Sequence, residues 1–259
     1  MFDSLCTAFA TAGTGGFGIR NDSFASYSSY LQIVVTVFML LFSINFSAYY
    51  LVFKGKLKDA FNTELRTFLC IVAIAITAIT VNVHKAFDSL GEAIRHVSFT
   101  VASLISSTGF ATVDFDLWPA FSQMLIIIIM FIGACAGSTG GGIKVTRFVI
   151  LFKSMGKEMK RMLHPRRVQK VTVDSRPLEN EVVRSVSTYI IFYIFIFAAS
   201  LVAISLEGHD FLTDFTAVST AINNMGPGLS MVGPTQNFGF FSTPSKLLAI
   251  SSSFSRRLM

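Results

Sequence analysis

The stretch Ser106-Ser107-Thr108-Gly109-Phe110-Ala111 follows an amphipathic segment, 90–105, that is too short to cross a bilayer. Two further clusters of small, turn-forming residues stand in the same setting. They are Ala12-Gly13-Thr14-Gly15-Gly16-Phe17 and Asn223-Asn224-Met225-Gly226-Pro227-Gly228. In a membrane, irregular backbone is tolerated only where protein or a water-filled cavity satisfies its polar groups. Three such segments predict a pore lined by peptide carbonyls, which is how ion filters are built.

The composition is that of an integral membrane protein. The 259 residues are 52% hydrophobic and 14% charged, with a mean hydropathy of +0.62, whereas a soluble domain is about 25% charged. Four nearly uncharged runs are each roughly long enough to cross about 30 Å of hydrocarbon. They are 30–53, 67–83, 120–136 and 187–206. We therefore predict an all-α, multi-pass protein of a plasma membrane.

The charges are distributed as expected for a membrane protein rather than a nucleic-acid-binding one, although the net charge is +6. Basic residues crowd the segments between apolar runs, at Lys54, Lys56, Lys58, Lys153, Lys157, Lys160, Arg161, Arg166, Arg167 and Lys170. Acidic residues mark the opposite connections, at Asp114, Asp116, Glu207, Asp210 and Asp214. The positive-inside rule places the basic segments in the cytoplasm and the glycine clusters toward the outside. No nucleic-acid partner is expected.

The organisation is predicted as a repeat of one unit: spanning helix, short re-entrant helix, glycine cluster, spanning helix. Aligning the clusters puts Gly16, Gly109 and Gly226 in register. The predicted units cover 1–58, which starts inside a unit, 59–170 and 171–259. Their re-entrant helices are predicted at 2–11, 90–106 and 211–223, and their spanning helices at 27–53, 64–84, 118–162, 181–206 and from 243. The fold predicted is about two and a half of four helix–pore-loop–helix units around a pseudo-fourfold pore.

A decapeptide of small residues, Gly133–Gly142, interrupts the return helix of the second unit. Glycine costs about 1 kcal/mol relative to alanine at each helix-interior position, so this segment is predicted to be unwound or mobile. Close packing between helices is the alternative. Packing requires small residues at four-residue spacing rather than a continuous run, which favours the flexible break.

Other functions find little support in the sequence. Gly13–Gly18 matches G-x-G-x-x-G, but it lacks a preceding strand and the acidic residue that should follow. Gly137–Lys144 resembles a phosphate loop without its Gly-Lys-Ser/Thr ending. Three scattered cysteines and four histidines have no metal-ligand spacing. No nucleophile, base and orienting acid assemble, so we expect neither an enzyme nor a bound cofactor. A single cluster taken alone could be an ordinary extracellular turn.

At these residues the chain resembles the TrkH-type membrane subunits of the bacterial Trk/Ktr/HKT potassium transporter superfamily. The matching stretches are Thr14-Gly15-Gly16-Phe17, Ser107-Thr108-Gly109-Phe110-Ala111-Thr112 with Asp114 and Trp118, Gly137-Ser138-Thr139-Gly140-Gly141-Gly142-Ile143-Lys144, and Asn224-Met225-Gly226-Pro227-Gly228-Leu229. The resemblance implies potassium uptake through a filter whose backbone carbonyls bind K⁺. The implied filter residues are Thr14, Gly15, Gly16, Phe17, Ser107, Thr108, Gly109, Phe110, Asn224, Met225 and Gly226.

The resemblance also implies a gate, a homodimer and a cytosolic nucleotide-binding ring of the TrkA or KtrA type. The implied gate residues are Gly137, Ser138, Thr139, Gly140, Gly141, Gly142 and Lys144. Counting eleven residues from Lys246 adds Arg257 as the family's pore arginine, although a serine run replaces the apolar approach to it. The first unit and its filter segment are not matched, so we expect an N-terminally incomplete member. That segment separates potassium-selective from sodium-permeable members.

Several functions therefore remain open. Gated potassium uptake is the leading one. The alternatives are a sodium-permeable member of the superfamily, and a non-conducting fragment or interaction module of such a transporter. An anion transporter using helix N-termini is a further possibility, but no basic residue lies inside any cluster.

Overall fold

The computed structural model describes residues 1–163, 170–174 and 176–258, and the side chains only as far as residue 252. In this part of the chain nearly all regular structure is α-helical. The helices are α1 Phe2–Ala12, α2 Ser29–Phe42, α3 Phe46–Phe53, α4 Leu57–Ala60, α5 Thr63–Val83, α6 Leu90–Ser106, α7 Ala120–Ile132, α8 Val145–Leu163, α9 Asn180–Ser205, α10 Phe211–Asn223 and α11 Thr243–Leu258. Two short strands, β1 Thr172–Val173 and β2 Arg176–Pro177, pair antiparallel.

Two helices of the described chain are long and apolar enough to cross a membrane. One extends from Thr63 to Ala86 and contains α5, and the other is α9. The pair α2 and α3 passes the same test when counted together, although the two helices are bent by 90°. Helix α7 is apolar but shorter. These helices fall on the predicted apolar runs.

The prediction of one continuous helix over 27–53 is wrong, since α2 ends at Phe42 and α3 begins at Phe46. The Ser43 hydroxyl donates to the Met39 carbonyl oxygen, 2.8 Å away. The Asn45 side chain then caps α3 by accepting from the Ser47 amide at 2.8 Å, which is a strong helix-start signal. We call residues 43–45 the elbow. Polar groups satisfied locally let the backbone turn sharply inside an apolar run.

The return helix predicted over 118–162, with a break at 133–142, forms two helices. Pro119 has no amide hydrogen and disfavours helical backbone before it, so α7 begins only at Ala120. The helix stops at Ile132 and resumes as α8 at Val145. The intervening residues 133–144, here named the intramembrane loop, are not helical, as the glycine run predicted. Arg166 and Arg167 of the predicted basic linker lie outside the described residues.

The core surrounds the two internal re-entrant helices. Helix α6 packs against α2, α5 and α7, and its buried residues Val97, Val101 and Leu104 belong to one cluster with Phe68 and Met130. Helix α10 packs against α9 and α11 around a second cluster that includes Tyr193 and Ile222. The predicted re-entrant helices 90–106 and 211–223 match α6 and α10 residue for residue. Both helices therefore end inside the molecule, where their exposed carbonyl groups need partners.

Candidate functional site

The three helices predicted to be re-entrant, α1, α6 and α10, end in the same backbone motif. In each, one residue adopts a left-handed conformation two positions before a glycine of positive φ. The pairs are Thr14 (φ 48°) with Gly16 (67°), Ser107 (62°) with Gly109 (86°), and Asn224 (55°) with Gly226 (90°). The residue between each pair donates its amide to the carbonyl five positions back, over 2.8 Å at Gly15, 2.9 Å at Thr108 and 3.0 Å at Met225. This is the Schellman ending, repeated three times in one register.

The three glycines lie against their neighbours' backbones in chain order. A Cβ added to Gly16 would stand 1.8 Å from the Thr108 carbonyl oxygen. One added to Gly109 would stand 2.0 Å from the Met225 carbonyl oxygen. A Cβ added to Gly226 would have the Cα of Gly109 as its nearest neighbour, 3.9 Å away, so the space beside Gly226 is open. Three segments far apart in sequence therefore meet at one place, where no side chain larger than hydrogen fits at two of the glycines.

The predicted filter residues around these glycines differ in their surroundings. Phe110 is buried and packs against the ring of Phe24 at 4.6 Å, and Met225 is buried in the main core. Phe17 occupies the corresponding position in the first cluster but is 85% exposed. The Ser103 hydroxyl donates to the Phe110 carbonyl oxygen at 2.6 Å, which fixes the second cluster to its own helix. The second and third clusters are thus buried on their outer sides, and the first is not.

The intramembrane loop passes the ends of all three re-entrant helices. The Thr14 hydroxyl donates to the Thr139 carbonyl oxygen at 3.1 Å, and the Gly141 amide donates to the Ser107 hydroxyl at 2.9 Å. A Cβ on Gly141 would lie 2.1 Å from the Asn223 carbonyl oxygen. The loop therefore lies directly against the C-terminal ends of α1, α6 and α10, where the helix dipoles concentrate negative charge.

Lys144 holds the loop in a compact shape. Its ammonium group donates to the carbonyl oxygens of Gly140 at 2.7 Å, Cys135 at 3.1 Å and Ser138 at 3.3 Å. Three donors on one cation match three carbonyls that no helix satisfies. The predicted gate residues 137–142 and Lys144 are thus one cluster. Arg257 lies within α11, but its side chain is outside the described part of the structure.

The elbow of α2 and α3 is joined to the same loop through main-chain atoms. The Cys135 amide donates to the Ser43 carbonyl oxygen at 3.0 Å, and the Phe46 amide donates to the Gly137 carbonyl oxygen at 3.2 Å. The loop thereby bridges the first and second units. Sequence reasoning missed the elbow because its partners are about ninety residues away.

Glu64 is a second contact that sequence reasoning missed. Its carboxylate accepts from the Ala136 amide at 2.5 Å, and only 8% of the residue is exposed. It is the sole acidic residue in the first turn of α5. An acid at a helix start is usually read as a favourable dipole partner. Its isolation at the head of an apolar span was the only signal for a buried role.

The acidic residues of the predicted outer side stabilise the connections between helices. Hydrogen bonds from Ser242 and Ser245 lower the pKa of Glu207 to about 2. Glu207 thus joins the end of α9 to the start of α11 in its charged form. Among the described residues, no group of three or more His, Cys, Asp or Glu side chains is placed to hold a metal ion. The groups near the three glycines that could bind a cation are the oxygen atoms of backbone carbonyls and of hydroxyls.

Comparisons with known proteins agree with this architecture. The family model described as TrkH, a cation transport protein, matches residues 1–254. The Trk system potassium uptake protein TrkH of Salmonella typhimurium is 30% identical over 99% of this chain and 54% of its own length. The protein TrkG of Escherichia coli K12 is 33% identical over 96% of this chain and 52% of its own length. The chain spans about half the length of the curated relatives it matches.

A solved structure shares the fold. The crystal structure of the potassium transporter TrkH from Vibrio parahaemolyticus superimposes with a TM-score of 0.91 at 31% identity, covering 99% of this chain and 56% of that one. The predicted all-α membrane fold is confirmed by this match and by the apolar helices. The relatives are transport proteins rather than enzymes. This chain belongs to the TrkH family of cation transport proteins.

Proposed function

We propose that this chain takes part in potassium uptake across the bacterial cell membrane, as its relatives' names state for them. The three glycine clusters would supply three segments of a filter whose carbonyl oxygens replace the hydration shell of K⁺. Each filter segment would belong to one of the units 1–58, 59–170 and 171–259. The ion is cargo, and no resident cofactor is required.

The observation that carries this proposal is the contact of the three clusters in chain order. Gly16 lies against the backbone of Thr108, and Gly109 lies against that of Met225. Each cluster follows a helix whose C-terminal end carries about half a negative charge. A site surrounded by three such ends, with no cationic residue in the clusters, favours a cation over an anion. This argues against the anion-transporter alternative.

The intramembrane loop is our candidate gate. Its contacts with Thr14, Ser107 and Asn223, at the ends of the three helices, support this role. Glycine-rich backbone can change conformation at little steric cost. A barrier held by Lys144 and Glu64, rather than by a packed apolar plug, could open by exchanging hydrogen-bond partners.

The partners proposed are a second copy of the chain, a cytosolic nucleotide-binding ring of the TrkA or KtrA type, and the lipid bilayer. The support for the ring is charge. Lys160 and Arg161 are exposed on α8 and Lys157 is half-buried beside them, beyond the loop. The same cations would also suit anionic headgroups of the inner leaflet.

The test is potassium-limited growth of a bacterium that lacks its own uptake systems. The gene is expressed with its native flanking sequence, and rubidium uptake is measured in the same cells. Growth with saturable rubidium uptake is expected. Sodium uptake at an equal rate would identify the sodium-permeable alternative. Stable membrane insertion without rubidium or sodium flux would leave only the non-conducting interaction module.

A further inference from the structure

A short hairpin lies against the start of α5. Strands β1 and β2 pair with Thr172 opposite Pro177, and the Leu178 amide donates to the Val171 carbonyl oxygen at 2.8 Å to close the hairpin. Val171 is 5% exposed, so the hairpin is packed against the protein. The Lys153 ammonium of α8 donates to the Thr172 carbonyl oxygen at 2.9 Å.

The side chain of Asp174, in the hairpin, accepts two hydrogen bonds from Thr63, the first residue of α5. A single carboxylate oxygen of Asp174 accepts from the Thr63 amide at 2.7 Å and from the Thr63 hydroxyl at 2.6 Å. Asn62 caps the same helix by accepting from the Leu65 amide at 2.9 Å. Helix starts leave four amides without partners, and here a residue from another segment, 111 positions away, satisfies one of them.

The next residue of α5 reaches the intramembrane loop. Glu64 accepts from the Ala136 amide at 2.5 Å. Thr63 and Glu64 are adjacent, so the hairpin and the loop are attached to the same helical turn from two sides. A side chain that accepts from the first amides of a helix stabilises the helix start. The Asp174 contact therefore stabilises the turn from which the Glu64 side chain extends.

We propose that Asp174 and Glu64 are positioning residues for the gate: Asp174 fixes the first turn of α5, and Glu64 thereby holds the intramembrane loop across the pore. The inference rests on the proposed function of that loop. Displacing the hairpin from α5 on the cytoplasmic side would loosen the loop without any direct contact between the two. Both residues accept from backbone amides, Asp174 from that of Thr63 and Glu64 from that of Ala136.

The ionisation of the Asp174 carboxyl group strengthens its contact with Thr63. Burial opposes its charge, but hydrogen bonds from Thr63 and the nearby cations of Lys153 and Arg66 lower the pKa of this carboxyl overall. The carboxylate is therefore ionised at neutral pH, and hydrogen bonds to an ionised acceptor are the stronger kind. The contact is set by geometry and charge together.

The experiment is amide hydrogen exchange on the full chain in lipid nanodiscs, read at residues 133–144. Glu64→Ala should speed exchange of the Ala136 amide about tenfold or more, because the amide loses its acceptor. Asp174→Ala should speed it at least about threefold, although Asp174 does not touch the loop. Asp174→Asn keeps an acceptor oxygen for Thr63 and should retain most of the protection. Thr77→Val is the matched control, since the Thr77 hydroxyl bonds only within α5, and it should change nothing in the loop.

Exchange across α9 serves as the internal reference for folding. Unchanged loop exchange in Asp174→Ala overturns the proposal, and so does Asp174→Asn exchanging as fast as Asp174→Ala. Rubidium flux is measured on the same samples. If the exchange rates change as expected but no rubidium flux is measured, the link between Asp174 and the loop is supported and the proposed function is refuted. If rubidium flux is measured but the exchange rates do not change as expected, that link is refuted and the proposed function is supported.

Discussion

Replacing Gly109 by alanine tests the filter most directly. The new Cβ would stand 2.0 Å from the Met225 carbonyl oxygen and 3.1 Å from the Pro227 Cδ. Real Cβ contacts essentially never fall below 3.0 Å, so the carbonyl must retreat by at least 1.0 Å (3.0 − 2.0). Alanine at a positive φ adds backbone strain of about 1–2 kcal/mol. The first effect displaces a proposed ion ligand, and the second only destabilises the fold.

Gly208→Ala separates the two effects. Gly208 has φ +79°, close to the +86° of Gly109, but a Cβ there would meet nothing within 4 Å. Both variants therefore carry the strain, and only Gly109→Ala moves the carbonyl. The assay is rubidium uptake with sodium as competitor, in the uptake-deficient strain. Gly109→Ala should lose about tenfold in preference for rubidium over sodium, equivalent to about 1.4 kcal/mol, whereas Gly208→Ala should keep the wild-type ratio. Equal ratios in the two variants would refute the assignment of Gly109 to the filter.

Three further predictions follow from the contacts around the site. Lys144→Met removes the cation that binds the loop carbonyls and should raise basal rubidium flux, measured in liposomes without any cytosolic partner. Tyr193→Phe should lower the free energy of unfolding by about 1–3 kcal/mol, because the buried Asn223 side chain loses a partner 3.0–3.1 Å away; thermal unfolding in detergent measures it. The pKa of Glu207 is lowered from 4.5 to about 2, so its stabilisation is complete above pH 4.5 and lost as the pH falls through 2. The difference in melting temperature between wild type and Glu207→Gln should therefore stay constant from pH 7 to 5 and shrink toward pH 2.

Each of these has a clear contrary result. Lys144→Met with wild-type basal flux would mean that the loop is not the barrier. Tyr50, which is 58% exposed, provides the control for the tyrosine change, and equal destabilisation by Tyr50→Phe would remove the role of the Asn223 contact. A Glu207→Gln difference that vanishes already near pH 4 would contradict the lowered pKa.

Local signals in the sequence were sufficient for the re-entrant helices. Helix α10 begins at the cap Asp210, whose carboxylate accepts from the Thr213 amide at 3.0 Å, and α6 begins at the cap Ser89, which accepts from the Glu92 amide. Both end at residues that take the left-handed conformation. Caps and turn residues act within a few positions, so a single sequence contains the whole cause. The break at residues 133–144 was predictable for the same reason.

Contacts between distant segments were not predictable. Ser43 and Asn45 are local signals for a helix break, but the Phe46 amide at the 90° bend has its partner, the Gly137 carbonyl, in a distant segment. Glu64 and Asp174 likewise have ordinary local environments, and only the folded chain brings them to Ala136 and Thr63. Polar residues in a membrane chain are informative, but their partners are set by packing.

The elbow has a consequence for which substitutions this chain can accept. The two bonds between the elbow and residues 135–137 use only amide hydrogens and carbonyl oxygens, so no side-chain atom of Ser43, Phe46, Cys135 or Gly137 contributes to them. Breaking such bonds away from water costs several kcal/mol per group, so we expect residues 135–137 to stay attached to the elbow when the rest of the loop moves. Side-chain substitution at Ser43 or Phe46 therefore keeps the donor and acceptor atoms of these bonds, whereas proline at Phe46 or Cys135 removes one of the two bonds.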